Sequence, residues 1–413
     1  MTNTPTTLTG LFKEVYAPSL KFLMPKNLRF QTDISFVPAE SQPGGYYNQP
    51  VVLKHEHGFT YKGPNTDAYD LVGAIAGQIK NAQVLGSQIT LASVLGVESA
   101  SRASSGGKRA FVQATKYLVE NMWQSMRKRV EIELLYGQIG LATIASVAGD
   151  VMTITPAEWA PGLWAGMEGA HIEVFTSTLG AQRTGTGIIT AVSIEDRTVT
   201  TASTLPASTA ATDIIFFYGQ VTAGGTPAFA TPAGIHKILA NTGSLFGIDA
   251  AAYSLWKSNV YAVGSVNLSF EAIQRLIARC VGKGCDGDLV LYCNPLTWAT
   301  LLSDQAALRR HGDPNKSNKY TLGSENIEFF SQIGRITIKA SIYVKEGYAY
   351  LISPAKWHRI GATDITFSLP DRGDEFFFHL ETKTGYGLRC YTNQAIFCEA
   401  PGQAGYLSGI DNT

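Results

Sequence analysis

Two histidines, His55 and His57, have the spacing of a metal-binding pair. On a β-strand their imidazoles would project from one face, because side chains alternate between the two faces of a sheet. A zinc site needs further ligands, and no Cys, Asp or Glu stands at metal-ligand spacing from this pair. The pair is therefore interpreted as part of an exposed strand face, and no metal ion is expected.

Cysteine chemistry is also limited in this chain. The five cysteines include no Cys-x-x-Cys pair of the kind that zinc ribbons use. Their odd number and apolar sequence contexts disfavour a disulfide framework. We expect reduced thiols in the core, at Cys280, Cys285, Cys293, Cys390 and Cys398.

Two glycine-rich segments fail the requirements of nucleotide binding. Gly282-Lys283-Gly284 lacks the earlier glycine of a phosphate-binding loop, and it follows a helix pattern where such a loop should open one. The Gly-Thr-Gly segment at 185–187 lacks the third glycine of a dinucleotide-binding turn. Both segments are interpreted as turns, and no cofactor is expected.

An acidic cluster is the remaining candidate for catalysis. Asp371, Asp374 and Glu375 surround Arg372, and two carboxyls can act as general acid and base if a cleft raises the pKa of one of them. A solvated loop held by the arginine explains the same residues. There is no Gly-x-Ser-x-Gly elbow for a nucleophilic serine. The sequence therefore predicts a protein that is not an enzyme.

The composition indicates a surface that largely faces other protein. The 413 residues predict two or three domains, yet only 16% are charged, with 33 basic and 33 acidic residues and 41 glycines. This balance disfavours a highly soluble enzyme and a basic nucleic-acid reader. The sequence has no signal-peptide layout and no apolar run long enough for a membrane helix, so a soluble intracellular origin without membrane contact is expected.

The first part of the chain predicts extended structure. Residues 1–40 are polar and interrupted by Pro18, Pro25 and Pro38, which indicates an extended arm. Apolar and aromatic residues then recur over 51–57 and 59–63 on either side of Gly58, which predicts a long β-hairpin.

The strongest helical pattern covers residues 108–136. Apolar side chains recur every three or four positions, including Phe111, Leu118, Met122 and Met126. Trp123 lies off this stripe, which indicates contacts on more than one side of the helix.

Residues 148–219 change to short alternating segments separated by turns, which predicts a small antiparallel barrel or sandwich. Two arginines and seven acidic residues give this stretch a net charge of −5.

Residues from about 230 onward predict a mixed domain, with a helix from Ser269 through Cys280, a buried strand at 289–293, a helix at 296–302 and a polar loop at 310–323. Strands are predicted at 336–338, 349–352, 365–369, 376–380 and 386–397.

The order of these elements resembles the Hong Kong 97 fold of the major capsid proteins of tailed bacteriophages, over nearly the whole chain. The string Leu-Tyr-Cys-Asn-Pro-Leu-Thr-Trp at 291–298 is similar to the strand-Asn-Pro-helix element of the family's axial domain. The resemblance implies an α+β fold with an N-terminal arm at 1–40, an extended loop at 41–75, a peripheral domain at 76–147, an inserted β-domain at 148–219, an axial domain at 220–365 and a return to the peripheral domain at 366–413.

The resemblance also implies roles for individual residues. The extended loop would contact neighbouring subunits through Tyr46, Tyr47, Lys54, His55, His57, Tyr61 and Lys62. The long helix would pack through Phe111, Leu118, Met122, Trp123 and Met126. Basic residues either line an inner face toward DNA or belong to a solvated surface: Lys13, Lys21, Lys26, Arg29, Arg127, Lys128 and Arg129. An axial loop would contain Arg310, His311, Asp313, Asn315 and Lys316.

The implied function is structural. Hexamers and pentamers of the chain would form an icosahedral shell around double-stranded DNA in the virion, after synthesis in the host bacterial cytoplasm. Implied partners are other copies, the packaged DNA, a portal protein, and scaffolding and decoration proteins. Because no charged helical segment precedes the arm, no fused scaffold or removable prodomain is expected. Lys54 and Lys62 have no identifiable cross-linking partner, so a shell without covalent cross-links is expected.

Three other functions remain open at the level of sequence. An encapsulin-like compartment would share the fold and enclose protein cargo. A multidomain hydrolase with a β-rich accessory domain would need a cleft with perturbed titratable groups. A tail or adhesion component should show repeats, and the sequence contains none.

Overall fold

The computed structural model describes residues 27–38, 47–65, 68–98, 108–202, 205–222, 228–303, 327–368, 377–380 and 384–412, with the backbone alone at 108–116, 303, 327–330 and 379. Within these ranges the α-helices are α1 (Arg29–Asp33), α2 (Lys108–Tyr136), α3 (Pro161–Trp164), α4 (Ile235–Leu239), α5 (Phe270–Val281) and α6 (Pro295–Ser303). Short 3-10 helices lie at Pro156–Glu158, Pro354–Lys356 and Pro401–Gln403. No described helix is both long and apolar enough to cross a membrane.

The strands of the described chain are β1 (Phe36–Pro38), β2 (Tyr47–Lys54), β3 (Gln78–Val84), β4 (Ser87–Gly96), β5 (Ala142–Ala148), β6 (Val151–Ile154), β7 (His171–Phe175), β8 (Gly187–Ser193), β9 (Thr198–Thr201), β10 (Ile214–Phe217), β11 (Val221–Thr222), β12 (Ala228–Phe229), β13 (Ser244–Leu245), β14 (Ile248–Asp249), β15 (Asn259–Val266), β16 (Leu289–Cys293), β17 (Ile327–Ser331), β18 (Gly334–Ala340), β19 (Tyr348–Ile352), β20 (Trp357–Thr366), β21 (Phe377–His379), β22 (Gly385–Cys398) and β23 (Gly405–Ile410).

A five-stranded sheet forms around β22. On one edge β22 pairs with β20 and β21, and on the other it pairs with β4 in antiparallel register from Gly385↔Gly96 to Gln394↔Ser87. β1 extends the sheet by parallel pairing with β20. The long helix α2 has the predicted bounds and packs on this sheet, with Met122 and Met126 buried. Trp123 stacks on Phe367 with ring centroids 6.2 Å apart.

The extended hairpin is longer than predicted. β2 pairs with β3, from Tyr47↔Val84 to Lys54↔Gln78, so the second strand begins well beyond 59–63. The described residues of 55–77 form the connecting loop and contain no strand. The prediction of a turn at Gly58 was wrong because a local glycine break does not decide which distant segment pairs with β2.

Six strands close into a barrel in the order β10-β5-β6-β9-β8-β7. Strands β6 to β10 lie within the segment predicted to form a small barrel or sandwich, and their closure into a barrel excludes the sandwich. The barrel includes β5, so it begins at Ala142 and not at residue 148. Its first strand follows α2 after a short turn, and the apolar residues of that strand were not separable by pattern from those of the helix.

A six-stranded sheet has the order β15-β23-β19-β16-β18-β17. α5 covers it, in agreement with the helix predicted from Ser269 through Cys280. Ser269 is its N-cap and accepts from the Ala272 amide at 3.3 Å, and Gly282 is its C-cap. Two boundaries differ from the prediction. β20 belongs to the five-stranded sheet although all but its last residue precede residue 366. β23 returns to the six-stranded sheet, pairing with β15 and β19. All five cysteines are buried and free.

A buried polar junction joins α2, the barrel and the six-stranded sheet. The Lys345 ammonium lies 3.2 Å from Oε2 of Glu158 and 4.5 Å from the ring centre of Tyr136. The Tyr136 hydroxyl donates to the Tyr343 carbonyl and accepts from the Lys345 amide, both at 2.9 Å. His236 meets the Tyr350 hydroxyl at 2.8 Å, and burial together with Lys345 lowers the pKa of His236 to about 3. This histidine is therefore neutral at physiological pH.

Candidate assembly surfaces

The loop between β2 and β3 exposes several large apolar side chains. Phe59, Tyr61 and Leu71 are 67%, 87% and 78% exposed. Tyr69, Val72 and Ile75 are exposed as well. A contiguous exposed apolar surface on a folded protein marks an interaction site. We call residues 55–77 the apolar loop.

The apolar loop projects from an anchored ribbon. At the base, the Gln83 amide donates to the Phe246 carbonyl at 2.9 Å, and the Tyr253 hydroxyl donates to Gln78 at 2.6 Å. Farther out, the His57 amide donates to the Ile75 carbonyl at 3.1 Å. An isolated two-stranded ribbon is marginally stable in water. The base is therefore held by the subunit, while the described residues leave the side chains of the tip exposed.

The predicted loop residues divide between base and tip. Tyr47 lies in β2, with its ring 5.9 Å from that of Phe397, and burial raises its pKa. Lys54 ends β2, while His55, His57, Tyr61 and Lys62 are exposed in the apolar loop. Tyr46 lies outside the described residues. Because β2 ends at Lys54, the two histidines are not on a strand, and the described residues contain no group of three potential metal ligands.

Two basic residues of α2, Lys128 and Arg129, contact other parts of the subunit. Lys128 is buried and donates to the Ala165 carbonyl, and burial lowers its pKa to about 8. The Arg129 guanidinium lies 3.2 Å from the ring centre of Phe217. Both charged groups therefore have partners within the subunit, and contact of these two residues with DNA stays a prediction.

Two further basic residues, Arg127 and Arg29, remain candidates for contact with DNA. Arg127 is half-buried and contacts Gln31, whereas Arg29 is exposed at the start of α1. Four predicted positions or sets lie outside the described residues or side chains: Lys13, Lys21 and Lys26 of the arm, the side chain of Phe111, the acidic cluster at 371–375, and the axial-loop residues Arg310, His311, Asp313, Asn315 and Lys316.

The start of the described chain is fixed on the subunit by a carboxylate that the sequence did not single out. Glu131 is fully buried and accepts from the amides of Phe30 at 2.9 Å and Gln31 at 3.0 Å. It therefore satisfies free N–H groups at the start of α1, as an N-cap would. The Lys339 ammonium contacts Asp33 at 2.8 Å, which ties the other end of α1 to the six-stranded sheet.

A cleft of about 440 Å³ lies between β4, α2 and the rim of the barrel. Its floor contains Met126, Arg129 and Glu133 of α2, and Phe217 and Tyr218 stand on the barrel side. Glu133 is buried, its Oε1 accepts from Gln220 at 3.3 Å, and burial raises its pKa to about 7. The cleft therefore holds a carboxyl group that is costly to ionise.

We expect Glu133→Gln to stabilise the subunit above neutral pH. A raised native pKa means that the stability contributed by the protonated carboxyl is present below about pH 4.5 and is lost as pH rises through about 7. Glutamine stays neutral throughout, so its advantage grows from near zero at pH 4.5 to as much as about 3 kcal/mol at pH 8. Urea denaturation from pH 4.5 to 8 measures this, with the exposed Glu195→Gln as control. An equal change in the free energy of unfolding at pH 4.5 and pH 8 would contradict the burial of the charge.

Comparison with known proteins was made against families, curated sequences and solved structures. No family model and no curated protein sequence matches this chain. Among solved structures, the chain is similar to a protein of the cyanophage A-1(L) capsid, with a TM-score of 0.58 and 11% identity over 99% of both chains.

Similarity extends to a protein of the capsid of the native GTA particle, with a TM-score of 0.53 and 7% identity, over 99% of this chain and 100% of that one. The corresponding protein of the empty GTA particle gives a TM-score of 0.51 at 7% identity, over 99% of both chains. Identities this low show a shared fold. The chain therefore has the fold of phage capsid proteins, and the predicted α+β capsid fold is confirmed.

Proposed function

We propose that this chain is the major capsid subunit of a tailed bacteriophage, and that hexamers and pentamers of it build an icosahedral shell around double-stranded DNA. The apolar loop is the observation that carries the proposal. It exposes large apolar side chains at the end of a ribbon whose base is fixed. A second copy is the partner that a closed shell supplies to every such loop.

The charge distribution suits this role. The barrel segment at 148–219 carries a net charge of −5, so the rest of the chain carries the compensating positive charge. DNA contact would be non-specific. It would involve Arg29, Arg127 and the arm lysines Lys13, Lys21 and Lys26. A portal protein, scaffolding and decoration proteins are further proposed partners in the virion.

Expression of the full chain alone, followed by negative-stain electron microscopy and light scattering, tests the proposal. Closed shells, tubes, hexamers or pentamers are the expected products, and free capsomers would add that a scaffold is needed. A monomer or dimer that persists at the highest attainable concentration would contradict the proposal.

A further inference from the structure

Cys280 and Cys285 lie at the two ends of the turn that follows α5. The Cys285 amide donates to the Cys280 carbonyl at 3.2 Å, and the Gly284 amide donates to the Val281 carbonyl at 2.9 Å. Gly284 has a φ of +88°, in the left-handed region that glycine adopts without strain. These features define a Schellman motif, and the two cysteines are its first and last residues.

The motif brings the two cysteine side chains together. Because the amide of one is bonded to the carbonyl of the other, standard backbone dimensions hold the two Cα atoms at most about 6.5 Å apart. A disulfide spans Cα distances of about 4.4–6.8 Å. Side chains at these two positions of the motif frequently contact each other, and both thiols belong to the buried cluster that packs α5 on the six-stranded sheet. The pair therefore has the backbone spacing of a disulfide.

The two thiols differ in their surroundings. Cys280 is fully buried, its Sγ accepts from the Asn259 side-chain amide at 3.5 Å, and burial raises its pKa to about 12. Cys285 is 4% exposed and lies between two exposed residues of the turn. Burial raises the pKa of Cys285 as well, but a backbone hydrogen bond and the Lys356 ammonium oppose that rise. Cys285 is therefore the thiol that an oxidant from solvent reaches first, with Cys280 beside it.

We propose that Cys280 and Cys285 form an oxidation site, which hydrogen peroxide converts to a disulfide. The Cys285 sulfur attacks one peroxide oxygen, the O–O bond breaks, and water leaves as Cys285 becomes a sulfenic acid. The Cys280 sulfur then attacks the Cys285 sulfur, the S–O bond breaks, and a second water leaves. The two thiols lose two electrons and two protons, and one peroxide is reduced to two waters. The disulfide joins the last turn of α5 to the segment that leads into β16, and its formation does not depend on the shell function.

The other three cysteines stand in strands and not in such a turn. Cys390 and Cys398 lie eight residues apart on β22, which separates them by roughly 26 Å at about 3.3 Å per residue. Cys293 ends β16 and is fully buried. These three thiols are expected to stay reduced and to serve as an internal reference.

Thiol titration of the full chain tests the proposal. The protein is treated with a small molar excess of hydrogen peroxide, quenched with catalase, unfolded in guanidinium chloride and titrated with Ellman's reagent. The five thiols of the untreated protein are expected to fall to three, and dithiothreitol is expected to restore all five, because a disulfide is reducible and sulfinic acid is not. Retention of five thiols, or a loss that dithiothreitol does not restore, would overturn the proposal.

Single serine variants identify the partners. Cys285→Ser is expected to lose no pair of thiols to peroxide, whereas the matched control Cys293→Ser should still fall from four thiols to two. Trypsin cleaves after Lys283, between the two cysteines. In oxidised Cys293→Ser, the peptides 280–283 and 284–309 should therefore have one joint mass until they are reduced. Separate peptides, or loss of two thiols in Cys285→Ser, would overturn the assignment of this pair. Because all readouts use unfolded or digested protein, they apply whether or not the chain assembles, so that their failure leaves the shell function standing.

Discussion

Replacing Phe59, Tyr61 and Leu71 together by serine is expected to abolish assembly without unfolding the subunit. These side chains are 67%, 87% and 78% exposed in the single chain, so their removal costs the subunit little stability. In the shell each would be buried on a neighbour, at about 1.5 kcal/mol per side chain. The combined loss corresponds to roughly a thousand-fold weaker association per contact.

Light scattering across a concentration series measures this effect, and thermal denaturation checks the fold. The matched control removes exposed apolar side chains outside the apolar loop, in the variant Ile194→Ser/Leu255→Ser/Val266→Ser. Assembly of the loop variant at the concentration that suffices for the unmodified protein would show that the apolar loop is not an assembly contact.

Local patterns predicted the parts of the fold that depend on neighbouring residues. The helix at 108–136 follows from one apolar stripe, and α5 follows from Ser269 and Gly282 at its ends. The barrel strands follow from regular alternation between turns. In each case the signal lies within a few residues of the element that it specifies.

Pairing between distant segments could not be predicted in the same way. β4 alternates Ile89 and Leu91 with polar residues, which was a usable strand signal, but nothing local indicates its partner β22. β3 and β23 likewise pair with strands that a single sequence does not identify. The extended hairpin and the last boundary were misplaced for this reason.

The burial of Glu131 and Glu133 was not predicted, because charged side chains are usually exposed. Glu131 and Glu133 stand among Val130, Ile132 and Leu134, and a charge within so apolar a segment was the available signal. Whether such a carboxylate caps another segment or lines a cleft depends on what packs against it. That information comes only from the fold.

Lys345→Met is expected to destabilise the subunit by about 3–5 kcal/mol, the usual cost of removing one partner of a buried ion pair. Lys345 is 2% exposed and contacts Glu158 at 3.2 Å. Burial opposes ionisation of Glu158, but the Lys345 ammonium, together with the hydrogen bond from Thr143, holds the pKa of Glu158 below its ordinary value. Without the ammonium, the carboxylate is left in the junction between α2, the barrel and the six-stranded sheet.

The double variant Lys345→Met/Glu158→Gln separates loss of the pair from loss of packing. Removing both charges takes away the uncompensated carboxylate, so the double variant should recover much of the stability that the single variant loses. Lys356→Met is the matched control, because its partner Asp286 is 87% exposed and such surface pairs contribute less than about 1 kcal/mol. Urea denaturation measures all three. If the double variant is no more stable than Lys345→Met, then Lys345 acts through its contacts with Tyr136 and not through its charge on Glu158.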